Sequence, residues 1–220
     1  MTAAPAPPPE PAPPRDWRAY DARVLPPIVD AARACFVESG YDGTSIRQVA
    51  ERAGLSVPGL YHHYRSKQAL LVAILEAAMA DLWWRSEAAL VGAGEDPVAR
   101  IDALVECLVL FHAHERDLAF LAWSELRSAD PDVRTEHVAR RDRQQRLLDE
   151  AVEDGVRAQV VRTPYPREAS RAVVTMCTSV AQWYRIGGEL SPAELAARYQ
   201  RITRDALGIV EREHREAPGR

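Results

Sequence analysis

The chain has 220 residues, 47% hydrophobic and 27% charged, enough for one or two domains with a proper core. No apolar run reaches the ~18 residues a membrane helix needs, so a membrane protein is excluded; Cys35, Cys107 and Cys177, odd in number and each inside an apolar helical pattern, read as core thiols of a cytoplasmic protein, with redox sensing the less favoured alternative. The formal charge of −4 argues against a nucleic-acid partner only if it is uniform, and it is not. From Arg15 to Leu70 eight arginines and lysines face six acidic residues, a balance of +2 that leaves −6 for the remainder and places any phosphate-seeking surface near the N-terminus.

Taken in order, residues 1–14 are almost all Pro and Ala, and residues 1–16 read as an extended, disordered arm without the basic start or apolar middle of a signal peptide. Arg15 and Arg18 offer a minor-groove or phosphate contact. Pro26 and Pro27 predict a first helix beginning at about Leu25, with Ile28, Ala31, Ala32, Cys35 and Phe36 as its apolar stripe and Gly40 as its end. Ser45 and Gln48 then form an S-x-x-Q capping box, although Thr44 is an alternative cap, and a short helix follows to Arg52. Gly54 supplies a left-handed stop, Ser56 the next cap and Pro58 a first-turn proline, so a second short helix runs from Val57 to Tyr64.

That second helix places Leu60 and Tyr64 inward and Val57, Pro58, Gly59, Tyr61 and His62 outward. An uncharged outer face suits base edges: valine and proline meet thymine methyls and glycine permits close approach. Charges flank it, with Arg47 on the preceding helix and Lys67, the chain's only lysine, just after the cap Ser66, where it reads as a phosphate anchor. An ordinary packed helical hairpin is the bland alternative.

The helix capped by Ser66 is predicted to continue to about Leu90, a connector between residues 17–66, read as a DNA-binding domain, and residues 67–220, read as a ligand-binding and dimerisation domain. Asp96-Pro97 starts another helix with Ile101, Leu104, Val105, Leu108 and Phe111 inward. A short helix from Leu118 to Arg127 carries Phe120, Leu121 and Trp123, and Asp130-Pro131 opens a long one to Ala158 whose middle, Arg140 to Arg146, is polar. That break reads either as solvent exposure or as Arg141 and Gln145 lining a ligand cavity. A helix from Pro166 to Tyr184, apolar on all sides and ended by Gly187-Gly188, precedes a last one started by the Ser191-Pro192-Ala193-Glu194 box, with Leu195, Tyr199, Ile202, Ala206 and Ile209 as its stripe. No strand pattern competes, so the expected fold is all-α with about nine helices. His112 and His114 lie about 200° apart on their helix, unsuited to one metal, and no nucleophile elbow, phosphate loop or zinc spacing occurs, so neither an enzyme nor a cofactor is expected.

The forty positions from Ile28 to Lys67 resemble the TetR family of one-component bacterial transcriptional regulators. The resemblance rests on Ile28-Val29-Asp30-Ala31-Ala32, Phe36, Gly40-Tyr41-Asp42-Gly43-Thr44-Ser45-Ile46, Val49-Ala50-Glu51-Arg52-Ala53-Gly54, Leu60-Tyr61-His62-His63-Tyr64 and Ser66-Lys67. It implies that Arg47, Val57, Pro58, Gly59, Tyr61, His62 and Lys67 occupy DNA-contact positions, that Thr44 and Ser45 lie near phosphate, and that the last two helices form a homodimer interface. The stretch Met176 to Leu190 with the following SPAELAARY resembles C-terminal domains that answer to acyl-CoA or steroid-derived CoA thioesters, through Trp183-Tyr184-Arg185 and the glycine pair. The expected function is a homodimeric repressor released from an inverted-repeat DNA operator by a small-molecule effector. The effector cavity is expected among Leu108, Phe111, Phe120, Trp123, Arg127, Arg141, Gln145, Met176 and Trp183, whose arginines favour an anion. A helical homodimeric scaffold or carrier without specific DNA binding is the alternative.

Overall fold

A computed structural model describes residues 16–21 and 25–209; the Pro/Ala-rich stretch and Arg15 lie outside them. Among the described residues the chain is all-α. Its helices are α1 (Pro27–Gly43), α2 (Ile46–Arg52), α3 (Val57–His63), α4 (Lys67–Ala93), α5 (Pro97–His114), α6 (Arg116–Ser124), α7 (Pro131–Arg157), α8 (Pro166–Thr178), α9 (Val180–Trp183) and α10 (Pro192–Leu207), with one 3-10 turn at Leu126–Ser128. The predicted helix from Pro166 to Tyr184 is α8 and α9, interrupted at Ser179; counted as one, the expected nine remain. The interruption has a local cause. Thr175, Thr178 and Ser179 each return their hydroxyl to a carbonyl one turn back, which loosens the helical ladder, and the helix stops at Trp183, before the glycine pair.

The helix starts follow the side chains that satisfy their free N–H groups. Ser45, Ser56, Ser66, Asp96 and Ser191 each accept from a first-turn amide, and Ser45–Gln48 and Ser191–Glu194 are complete capping boxes. The first helix begins at Pro27, two residues later than Leu25, because a proline at the first helical position lacks only an N–H that would be unpaired anyway.

Helix α5 is the axis of the helical bundle around it, packed by α4, α7, α8 and α10. Ile101, Leu104, Val105, Cys107, Leu108 and Phe111 are buried along it. Burial pushes the Cys107 thiol up to about 12 and also raises Cys177, so these behave as small apolar fillers. On α10 the inward set is Leu195, Ala196, Thr203 and Leu207, while Ile202 and Ala206 of the predicted stripe face outward. The inward stripe is displaced because Arg204 and Gln200 are drawn to Asp102 at the start of α5, Gln200 Nε2 donating to its carbonyl at 3.0 Å.

The segment 16–21 is docked, not free. The buried Asp81–Arg85 ion pair of α4, 2.7 Å apart, is completed by the carbonyls of Trp17 and Ala19, which accept from Arg85, and the guanidinium lies 3.7 Å over the Tyr20 ring. Arg18 is taken by Glu106 of α5 in a bidentate pair with contacts of 2.5 and 2.8 Å, which corrects its reading as a DNA contact.

Candidate DNA-binding helices and effector cavity

Helices α2 and α3 cross at Ala50, Val49 and Leu60, all at or below 1% exposure, so their relative angle is fixed by a small close-packed seam. The turn between them depends on Gly54 at φ +69, the left-handed conformation that glycine adopts without a steric cost. With Leu60 inward, α3 presents Pro58, Tyr61 and His62 as exposed side chains, with the half-covered Val57 side chain and the Gly59 backbone beside them. Arg47 and Ser45 are exposed on the α2 side of the same surface.

Two expected phosphate-facing residues are turned inward. Thr44 is 3% exposed and its hydroxyl donates to the carbonyls of Cys35 and Gly40, closing the end of α1. Lys67 sends its ammonium to the carbonyls of Tyr41 and Thr44 at 2.7 and 2.9 Å and lies 4.3 Å over the Tyr41 ring. These carbonyls follow the break at Gly40 (φ +72), where the helical ladder leaves acceptors open and a cation within reach fills them. Arg65, in the turn directly after α3, is exposed and enters no hydrogen bond or ion pair with the described residues; it is absent from the contact residues expected from the sequence, although a cation immediately after the candidate reading helix is the signal that marks it. Arg65→Ala is expected to lower the slope of log affinity against log salt by about 0.9, the loss of one phosphate contact, with folding unchanged. Lys67→Ala is expected instead to cost about 2 kcal/mol of stability through its charge-assisted bonds, a contrast read by salt titration and by urea midpoints of both variants.

Helices α4 to α9 surround a cavity of about 620 Å³. Ala78, Met79 and Leu82 of α4 form one wall, with Leu108, Phe111 and His112 of α5, Phe120 and Trp123 of α6, and His137, Arg141, Gln144 and Gln145 of α7. Six of the nine expected lining residues are there. The other three are not: Arg127 is exposed in the 3-10 turn, Met176 packs on the core side of α8, and Trp183, 53% exposed, stands beyond the break at Ser179, edge-on to Tyr184. The polar stretch of α7 is both things its sequence allowed, since Arg143 and Arg146 face outward, Gln144 is buried, and Arg141 and Gln145 border the cavity.

His112, His137 and Gln144 are buried cavity residues that the reading of apolar periodicity passed over. Nδ1 of His112 donates to the Leu108 carbonyl at 2.7 Å, and burial lowers its pKa to about 4. His137 is likewise lowered to about 4, by burial first and then by Arg141 and Arg140. Both imidazoles are therefore neutral at physiological pH. Because their folded pKa values lie below the usual 6.5, the unfolded chain binds more protons between about pH 6.5 and 4, so stability is complete above that window and is lost as pH falls through it. Each group contributes a slope of up to about 1.4 kcal/mol per pH unit there, and a His112→Phe/His137→Leu variant is expected to show a flatter urea-midpoint profile between pH 7 and 5.

The chain matches two family models, one described as bacterial regulatory proteins, tetR family, over residues 28–74, and one as tetracyclin repressor-like, C-terminal domain, over residues 94–207. The transcriptional repressor KstR2 of Rhodococcus jostii is 28% identical over 189 residues, covering 82% of this chain and 89% of that one. Among solved structures, the TetR-family regulator PfmR of Thermus thermophilus superposes with a TM-score of 0.75 at 29% identity, over 84% of this chain and 99% of PfmR. The fold is also that of AibR in complex with isovaleryl coenzyme A and operator DNA, at a TM-score of 0.72 and 22% identity over 83% of this chain and 97% of AibR. With one family model over α1 to the start of α4 and the other over the helices from α5 to α10, more than half of the chain, the chain belongs to the TetR family of DNA-binding transcriptional regulators, a family of regulators and not of enzymes.

Proposed function

We propose that the protein is a homodimeric repressor that binds an inverted-repeat operator through Arg47, Val57, Pro58, Gly59, Tyr61 and His62, with Arg65 on phosphate, and that an anionic amphipathic small molecule of the acyl-thioester class releases it. The division near residue 66 and a cytoplasmic site of action belong to the same reading. The observation that carries it is the continuity of α4: Ala78, Met79 and Leu82 wall the cavity, and the same helix begins at Ser66, immediately after α3. A ligand that prefers a different tilt of α4 displaces the two reading helices of a dimer from the spacing of about 34 to 36 Å that successive half-sites require. Arg141 and Arg171 border the cavity as exposed side chains against the single carboxylate of Asp142, a balance that favours an anion, and the isovaleryl coenzyme A bound to AibR is an example of that chemistry in this fold. Trp183 of α9, Ile202 of α10 and, in the segments beside these helices, Tyr165 and Ile186 are exposed apolar side chains and support burial against a second copy.

The test is reciprocity. Octanoyl-CoA is titrated into the protein with and without a duplex from the region upstream of its own coding sequence, and the duplex with and without octanoyl-CoA. A coupling of about 1 to 3 kcal/mol makes each weaken the other by the same factor, roughly 5- to 150-fold. Equal thioester affinity with and without operator excludes release by this route.

A further inference from the structure

Six of the cavity's neutral polar side chains share a property that selects among ligands of the proposed class; of the other two, His137 keeps one ring N–H and Gln182 an exposed amide. His112 gives its Nδ1 hydrogen to Leu108, a carbonyl that can only accept, so Nε2 of the neutral ring is a bare acceptor. Thr175, Thr178 and Ser179 give their single hydroxyl hydrogens to the carbonyls of Arg171, Thr175 and Met176 at 2.8, 3.1 and 2.7 Å, leaving oxygen lone pairs. Gln145 spends its amide nitrogen on Asp149 Oδ1 and Ser170 Oγ at 2.9 and 3.0 Å. The orientation of Gln144 is fixed by the same logic. Ser86 donates to the Leu82 carbonyl, so its oxygen must accept from Gln144 Nε2, at 2.7 Å, and Gln144 Oε1 remains as a buried acceptor with no partner.

From this we infer that the wall of the cavity made by His112, Gln144, Gln145, Thr175, Thr178 and Ser179 is built to receive hydrogen-bond donors: the effector is an anionic amphiphile whose apolar body carries at least one hydroxyl placed against that wall, and the corresponding ketone is discriminated against. The inference rests on the acyl-thioester reading above. A carbonyl oxygen placed against these six residues meets only lone pairs and loses its water without a substitute, whereas a hydroxyl supplies the hydrogen they lack. The guanidinia of Arg141 and Arg171, which are donors, are exposed side chains and so are placed for the anionic end.

Calorimetric titration with decanoyl-CoA, 9-hydroxydecanoyl-CoA and 9-oxodecanoyl-CoA separates the possibilities. The hydroxy compound is expected to bind at least ~10-fold more tightly than the oxo compound, because a site built on one hydrogen-bonding sense rejects the analogue of the opposite sense. In His112→Leu that ratio is expected to fall toward one; because His112 is fully packed, Thr178→Val, nearly isosteric and only half-buried, is measured beside it and is also expected to narrow the ratio. Equal affinity for hydroxy and oxo thioesters, or a preference that survives both variants, overturns the inference and leaves the acyl-thioester reading standing. Failure of all three compounds to bind overturns that reading as well.

Discussion

Gly59→Asp is expected to lose operator affinity by about 3 kcal/mol or more, at least ~100-fold, while the protein stays folded. Gly59 is the third residue of α3, between Pro58 and Leu60, and its amide donates to Ser56 Oγ at 3.1 Å. A Cβ built there would meet Ser56 Oγ at 3.2 Å, close enough to move the cap by a few tenths of an ångström but not to expel it. A carboxylate in the first turn is favourable to the helix dipole, which offsets that adjustment in stability. The same carboxylate stands on the surface that carries Tyr61 and His62, where it faces phosphates and the acceptor-rich groove. Equilibrium gel shift of wild type and variant at one salt concentration, with urea midpoints for both, reads the two effects apart. Normal binding by a folded Gly59→Asp protein means that α3 does not enter the groove.

Arg85→Leu is expected to destabilise the protein by about 3 to 5 kcal/mol, the usual cost of removing one member of a buried ion pair. Arg85 and Asp81 have side chains 1% and 2% exposed, and leucine offers Asp81 no charge in return. The loss extends to the segment 16–21, whose Trp17 and Ala19 carbonyls accept from the same guanidinium and whose Tyr20 ring lies under it. For a chain of this size the melting temperature is expected to drop by roughly 10 °C. Thermal denaturation followed by circular dichroism checks this, and a shift below about 2 °C means the pair is not the fastening that its burial implies.

The helices were legible in the sequence where a side chain makes its own local bond. Ser45, Ser56, Ser66, Asp96 and Ser191 cap helices where their spacing placed them, and Gly54 turns where a left-handed residue was required. What escaped depends on groups far apart in the chain. Lys67 turns inward because the break at Gly40 exposes carbonyls at Tyr41 and Thr44, a demand that no pattern around residue 67 announces. His112 and Gln144 were hidden for opposite reasons, the first inside an apolar stripe and the second inside a charged one; only the crossing of α4, α5 and α7 makes them neighbours of one cavity. Trp183 leaves that cavity because the hydroxyl back-bonding at Thr178 and Ser179 redirects the chain before it, whereas Met176, still within α8, packs against the core.

The most direct measurement is fluorescence anisotropy of a labelled duplex carrying the inverted repeat from upstream of the protein's own coding sequence, beside a duplex of shuffled sequence and equal length, with sedimentation of the complex. A protein dimer bound to the repeat at least ~10³-fold more tightly than to the shuffled duplex, with a steep negative salt slope, is the expected result. Equal affinity for the two duplexes, or a monomer on the repeat, would contradict a symmetric reader of an operator.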